Sequence, residues 1–413
     1  MVINISSCHM VCRHVRPAIN GFNGVWYFLS RAITGIQKIT CQFHPFFLSG
    51  WDDISLHKVT KRYLVRVCKA WYSLAFPFLF EYVILGKGRV LASLRDGMLR
   101  SEHALESESP HAIGWRIQRL DVHMRDRTGN PGLIMDILAD ILRQLPNLRV
   151  LTFSITGHGY DEYCKYLPEE VLQATNACRN TLRLLNWYGG VRLPSNNWAS
   201  FLENHPRLEA INAPVVLTQL GNSNIVLDSL KSIYVHCQTS TSQIQDMLWN
   251  LDLPRIHHAI CDINLSGAPD SCHDDFLQKI GSKLTSIQIN VMRHNFVIYN
   301  PLPKIVSTCK NLARVDFVTS QWFITSLVSI PKSVHTLGFR VNVYQIPKRK
   351  LEAFFLNIRN VLARFPSVKK FCFTDQRNVR ALRAHPEALG SNLAAILTLG
   401  VDVVDHEGRR LVV

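Results

Sequence analysis

Residues 133–153 read LIMDILADILRQLPNLRVLTF. Ile134, Ile137, Leu138, Ile141, Leu142 and Leu145 recur at steps of three and four, which places them on one face of a helix. Pro146 cannot continue that helix and biases its predecessor toward extended geometry. The stretch then closes on Leu148, Leu151 and Phe153, spaced Leu-x-x-Leu-x-apolar. Helix, proline turn and short strand follow one another within twenty-one residues.

The same spacing returns along the chain. TLRLLNW carries Leu182, Leu185 and Trp187. Leu208 with Ile211, Leu230 with Ile233, Leu284 with Ile287 and Leu312 with Val315 continue it. Val334 with Leu337 and Val368 with Phe371 follow, Ile117 with Leu120 reads as an earlier copy, and Ile256 with Ala259 as a weaker one. The steps between first positions run from 22 to 34 residues. KLEAFFLNIRNVLARF repeats the helical face with Leu351, Phe354, Phe355, Ile358, Val361 and Leu362. Shorter helices are expected at 198–204, 242–250, 275–281 and 302–309, and SNLAAILTLGVDVV reads as a last helix and strand. Parallel strands joined by helices need right-handed crossovers, and many at short period build a solenoid. The expected fold is therefore α/β, with parallel strands concave and helices convex over 111–413. The first, fourth and apolar sixth positions should point into a shared core, and those between them should face solvent.

These units resemble leucine-rich repeats in an irregular, helix-rich form, over roughly 117–375. That family places Asn or Cys at the ninth position. Here only Asn264 and Asn342 stand there; Arg125, Thr156, Gly190, Val216, Gln238, Met292, Ser320 and Gln376 take the others. A loose, uneven arc is expected rather than a regular horseshoe.

The bulk numbers agree with a folded protein: 413 residues, 47% hydrophobic and 19% charged. No run approaches the roughly 18 to 20 apolar residues that span a bilayer. Eleven scattered cysteines and no convincing secretory signal suit a reducing compartment, the cytosol or nucleus. The net charge of +15 invites an acidic partner or nucleic acid, but no basic block is longer than Lys348-Arg349-Lys350.

Residues 64–83 read LVRVCKAWYSLAFPFLFEYV. As a helix over 64–75, they put Leu64, Val67, Cys68, Trp71, Leu74 and Ala75 on one face, with Arg66, Lys69, Tyr72 and Ser73 on the other. Pro77 should end this helix or begin a second through Phe78, Leu79 and Tyr82. Such a helix could simply pack on the first repeat. The stretch is also similar to the second half of an F-box as found in fungal F-box proteins, where Leu64, Val67, Cys68, Lys69, Trp71, Leu74, Ala75, Pro77, Leu79 and Phe80 match. The resemblance implies a substrate receptor of an SCF-type (cullin-RING) ubiquitin ligase. In it Leu64, Val67, Cys68, Trp71, Leu74 and Pro77 would dock the Skp adaptor, and the repeats would bind a protein substrate. The Leu-Pro opening of an F-box is missing from residues 1–63, so 51–100 reads as a partial, helical F-box-like segment. Residues 1–50 lack any clear period and are expected to be an atypical or disordered segment, or the product of a misjudged start or a retained intron.

Catalytic motifs are missing: there is no GxxxxGK(S/T), GxSxG or HExxH, and Gly86-Lys87-Gly88 is too short a phosphate loop. No cofactor is expected. Cys8, His9, Cys12, His14, Cys41 and His44 are zinc-type ligands without a finger framework. His257, His258 and Cys261 would be split between the faces of a strand, and Cys272, His273, Asp274 and Asp275 should begin a helix. Arg149, Arg183, Lys231 and Lys369 follow the first apolar positions, with Arg314 one residue further on. Stacked, they would form a basic ridge on one rim. The leading expectation is a non-enzymatic ligase adaptor; the alternative is a repeat scaffold with a degenerate F-box, and a nucleic-acid binder ranks third.

Overall fold

The computed structural model describes residues 68, 72, 78–103, 113–124, 131–155, 167–190, 195–215, 225–235, 251–263, 277–291, 302–324, 330–343 and 345–412. In chain order the strands are β1 (Tyr82–Leu85), β2 (Arg119–Met124), β3 (Val150–Ile155), β4 (Leu184–Gly190), β5 (Ala210–Val215), β6 (Ile225–Val226) and β7 (Ser232–Val235). They continue as β8 (Leu251–Asp252), β9 (His258–Ile263), β10 (Ser286–Val291), β11 (Arg314–Thr319), β12 (Thr336–Val341), β13 (Lys370–Phe373) and β14 (Asp402–Val404). Twelve of them form one parallel sheet in the order β1-β2-β3-β4-β5-β7-β9-β10-β11-β12-β13-β14, each beside its predecessor; β6 and β8 pair separately. The sheet does not close on itself. This is the expected α/β solenoid of leucine-rich-repeat type.

Burial confirms the repeat assignment position by position. The ten first positions from Ile117 to Val368 are each at most 1% exposed, and their partners three residues on are at most 2% exposed. Because the strands are in register, these partners form one apolar row, for instance Leu120 beside Leu151 and Leu151 beside Leu185. The helices α1 (Gly88–His103), α2 (Ile113–Arg116), α3 (Pro131–Arg143) and α4 (Glu169–Ala174) precede or link the early strands. α3 opens with Pro131 at a position where a missing N–H costs nothing, and its predicted face is buried. Further on come α5 (Ser195–Asn204), α6 (Leu302–Thr308), α7 (Lys348–Arg364), α8 (Gln376–Arg383) and α9 (Pro386–Leu397). Residues 277–280 are helical and run into a 3-10 turn, Gly281–Lys283. The helix expected at 242–250 lies outside the described residues. Phe354 of α7 meets Phe339 at 4.9 Å and Trp322 edge-on at 5.3 Å between ring centroids, which makes this end of the core aromatic.

Two expectations are corrected. Tyr82 is not helical: Phe78 and Leu79 are, and then β1 begins and pairs with β2. Phe80, Val83 and Leu85 show the Leu-x-x-Leu-x-apolar spacing, so an additional repeat stands ahead of Ile117; Phe80 packs against the core. The second correction concerns the strand positions expected to face solvent, several of which are buried, as described below.

The missing ninth-position asparagines are replaced at the opposite end of the strands. Asn147 Nδ2 donates to the Trp115 carbonyl at 2.8 Å, and Thr181 Oγ1 to the Pro146 carbonyl at 2.8 Å. Lys283 Nζ reaches the Leu253 carbonyl at 3.1 Å, and Asn311 Nδ2 the Ser282 carbonyl at 2.7 Å. Each ties a turn to the turn before it and satisfies a carbonyl no helix or strand uses. At the far end, Leu411 N–H donates to Val403 (2.8 Å), and Asp405 Oδ1 accepts the N–H groups of Glu407 (3.0 Å) and Arg409 (2.9 Å). Gly408, at a φ of 78°, turns the chain so that this hairpin covers the last strand's edge.

Leu230→Ala and Leu312→Ala should each cost about 2–5 kcal/mol in chemical denaturation, whereas Leu356→Ala, at a 53% exposed helix position, should stay within about 0.5 kcal/mol.

Candidate functional site

Along a strand, residues i and i+2 share a face. The sheet face opposite the helices carries the first, third and fifth strand residues, and several are charged. On β2, Arg119 donates from Nε to Asp121 Oδ1 at 3.1 Å and from Nη2 to Oδ2 at 3.0 Å. The Tyr82 hydroxyl donates to the same carboxylate, and the Arg119 guanidinium lies 4.6 Å above the Tyr82 ring. Burial, then the Asp121 charge, pushes the Tyr82 phenol above its ordinary range. In register with Asp121 stand Thr152, Asn186 and Asn212. Asn212 Nδ2 donates to Asn186 Oδ1 at 2.9 Å, and Asn186 Nδ2 to Thr152 Oγ1 at 3.2 Å.

A second unit lies on β11. Arg314 Nε donates to both oxygens of Asp316 at 2.9 Å. Asp316 is 1% exposed, and this burial raises its carboxyl to about 6, against the opposing pull of Arg314. Its carboxylate lies across Gly338 of the next strand, where an added Cβ would collide with Oδ1. A third carboxylate, Asp375, is held by Arg377 (Nη2 at 3.0 Å) and Arg340 (3.5 Å), and accepts the Arg377 N–H at the start of α8.

Asp121, Thr152, Asn186, Asn212 and Asp316, expected to face solvent, are thus at most 5% exposed. Strands about 4.8 Å apart crowd side chains of one register together, and hydrogen bonds between them make that burial tolerable. The Arg-x-Asp spacing, RLD at 119–121 and RVD at 314–316, was the legible signal for the two self-paired units.

The predicted ridge is assembled only in part. Arg149, Arg183, Glu209, Lys231 and His257 occupy successive equivalent positions, each N–H bonding the carbonyl of the one before. Glu209 breaks the row, reaching Arg183 at 3.4 Å and Lys231 at 2.7 Å. Thr285 and Ala313 follow His257, and His335 and Lys369 resume the basic character. Arg314 is not in this row; it sits one residue inside the strand, on Asp316.

Of the residues matched to an F-box, Leu64, Val67, Trp71, Leu74 and Pro77 lie outside the described residues. Cys68 is exposed, and its carbonyl accepts the Tyr72 N–H at 2.8 Å, a helical bond. The zinc-type ligands at 8–44 and the group at 272–275 also lie outside. Cys261 is in the core, His257 is exposed, and His258 Nδ1 lies 2.7 Å from Ser286 Oγ. Among the described residues no cluster of three or more His, Cys, Asp or Glu could hold a metal, and no helix is long and apolar enough to cross a membrane.

No family model matches the chain, and no curated protein does. Among solved structures, a protein of Bacteroides fragilis aligns at 10% identity with a TM-score of 0.32, over 75% of this chain and 70% of its own. The leucine-rich repeat-containing protein LegL7 of Legionella pneumophila aligns at 13% identity and 0.31, over 80% of this chain and 84% of its own. At scores this low, the repeat character stands on the strand register and burial of the chain itself.

Two measurements probe the Asp316 unit. Folding retains a proton on Asp316 that the unfolded chain has lost between about pH 4 and 6, so stability from this group falls as pH rises through that window. Asp316→Asn should remove that slope, so its Tm relative to the parent rises from pH 4 to 6.5. Gly338→Ala should cost about 2 kcal/mol or more, and clearly less in an Asp316→Ala background.

Proposed function

We propose that the chain is a non-catalytic interaction scaffold whose repeats take a protein partner, and that residues 64–80 dock the Skp adaptor of an SCF-type (cullin-RING) ubiquitin ligase. The observation that carries this reading is the join. Phe80, the last residue of the F-box-like match, is also the first apolar position of the first repeat. A docking segment is thereby built directly onto the end of a solenoid, with helical Phe78 and Leu79 two residues from β1. In this reading Val67, Cys68, Trp71, Leu74 and Pro77 meet the adaptor, and Trp71 contributes much of the contact energy.

A second reading, a scaffold with a degenerate F-box, is favoured by one fact: residues 1–63 contain no Leu-Pro opening. Co-purification with the Skp adaptor separates the two. The parent chain should capture it, and Trp71→Ala with Leu74→Ala should lower recovery at least about tenfold, as loss of a hot spot does. Equal recovery from a variant with an unchanged melting curve leaves the scaffold reading standing.

A further inference from the structure

We propose that an extended, acidic protein segment docks along the rim on which the strands begin, rather than across the strand face. The proposal deepens the scaffold reading above and does not depend on the Skp adaptor.

The strand face has little charge to offer. Arg119, Arg314 and Arg377 are each held by a buried carboxylate of their own neighbourhood. The rim is different. Besides the row of Arg149, Arg183, Lys231 and Lys369, a second tier of cations lies in the turns, one to three residues ahead of the first apolar positions. Arg179, Arg207, Arg255, Lys283, Lys310 and Lys332 stand there, one in each of six repeats, and all are exposed. Arg207, Arg255, Lys310 and Lys332 make no ion pair among the described residues; Lys283 lies 3.9 Å from Asp252. Among the described residues the carboxylates at these positions are Glu81, Glu209, Asp228 and Asp252, fewer than the cations.

A cation at a helix C-terminus is favoured by the helix itself, which accounts for Arg179 and Lys310. It does not account for Arg255, which follows a strand, nor for Lys332, which follows no described helix. Of these cations only Lys283 bridges a turn carbonyl, that of Leu253; other turn carbonyls are bridged by the uncharged Asn147, Thr181 and Asn311.

From the Arg179 turn to the Lys332 turn there are seven stacked repeats, about 30 Å at about 4.8 Å per strand, the length of about nine extended residues. A row of that length with cations in two tiers complements a carboxylate-rich strand of polypeptide. Single-stranded nucleic acid is held by aromatic platforms as well as charge. Neither tier carries a Trp, Tyr or Phe.

The test uses the full chain and a fluorescein-labelled peptide of alternating Glu and Ser, about ten residues long to match that span. Binding is read by anisotropy at low ionic strength. Reversing Arg207, Arg255, Lys310 and Lys332 to Glu should weaken it about tenfold or more. Reversing Lys87, Arg89, Lys348 and Arg359, an equal change in net charge away from the rim, should change it less than about twofold. Replacing the four rim residues with Gln, which avoids new repulsion in the fold, should also weaken it. Equal losses from the rim and control reversals overturn the proposal, as does tighter rim-dependent binding of an oligo-dT strand of equal charge. Adaptor capture should be the same for all three variants, so a loss there bears on the ligase reading and not on the rim.

Discussion

The repeats depend on one constraint: a strand of three to seven residues, with its helix or loop, cannot bury its own apolar face. Ile117, Leu148, Leu182, Leu208 and their successors are buried only because a copy lies on either side. The strands are therefore held in register over most of their length, since a slip of one residue would turn each apolar row to the wrong face. At the far end the Asp405 hairpin covers the last strand, and at the beginning Tyr82 ties β1 to Asp121 and Arg119 of β2.

Register has an electrostatic consequence. Residues at equivalent positions stand side by side, so the strand face brings polar groups into rows where they must satisfy one another. Thr152, Asn186 and Asn212 do so by hydrogen bonds, and the Arg-x-Asp units do so within a single strand. A face whose charges are consumed internally has specificity of shape but little long-range field. The turns are not under this pressure. Their cations are exposed, although Lys283 also bridges a carbonyl, and positive charge collects there.

How far the sequence was legible depended on how local each signal was. The helix at 348–364 and the first positions of ten repeats were readable because hydrophobic period reports burial directly. β1 was not read, since Phe80 belongs to the F-box likeness and Tyr82 to an expected helix, and Leu85 lies beyond the stretch that holds them. α8 was missed because it starts straight after β13, with Asp375 as its cap and a short, largely polar helix behind it. The burial of Asp316 was invisible for another reason: nothing in RVDF tells that Gly338, two dozen residues on, will lie beside it and leave room for a carboxylate.

The sequence by itself determined the repeat and its period, the alternation of helix and strand, and the excess of positive charge. These follow from side-chain type and spacing along one unit. Only the tertiary structure decided where the stack begins, which charges are spent on each other and which remain on the rim. Those outcomes depend on which residue of one repeat stands against which residue of the next, and that pairing is set by register across 22 to 37 residues, not by neighbours in the chain.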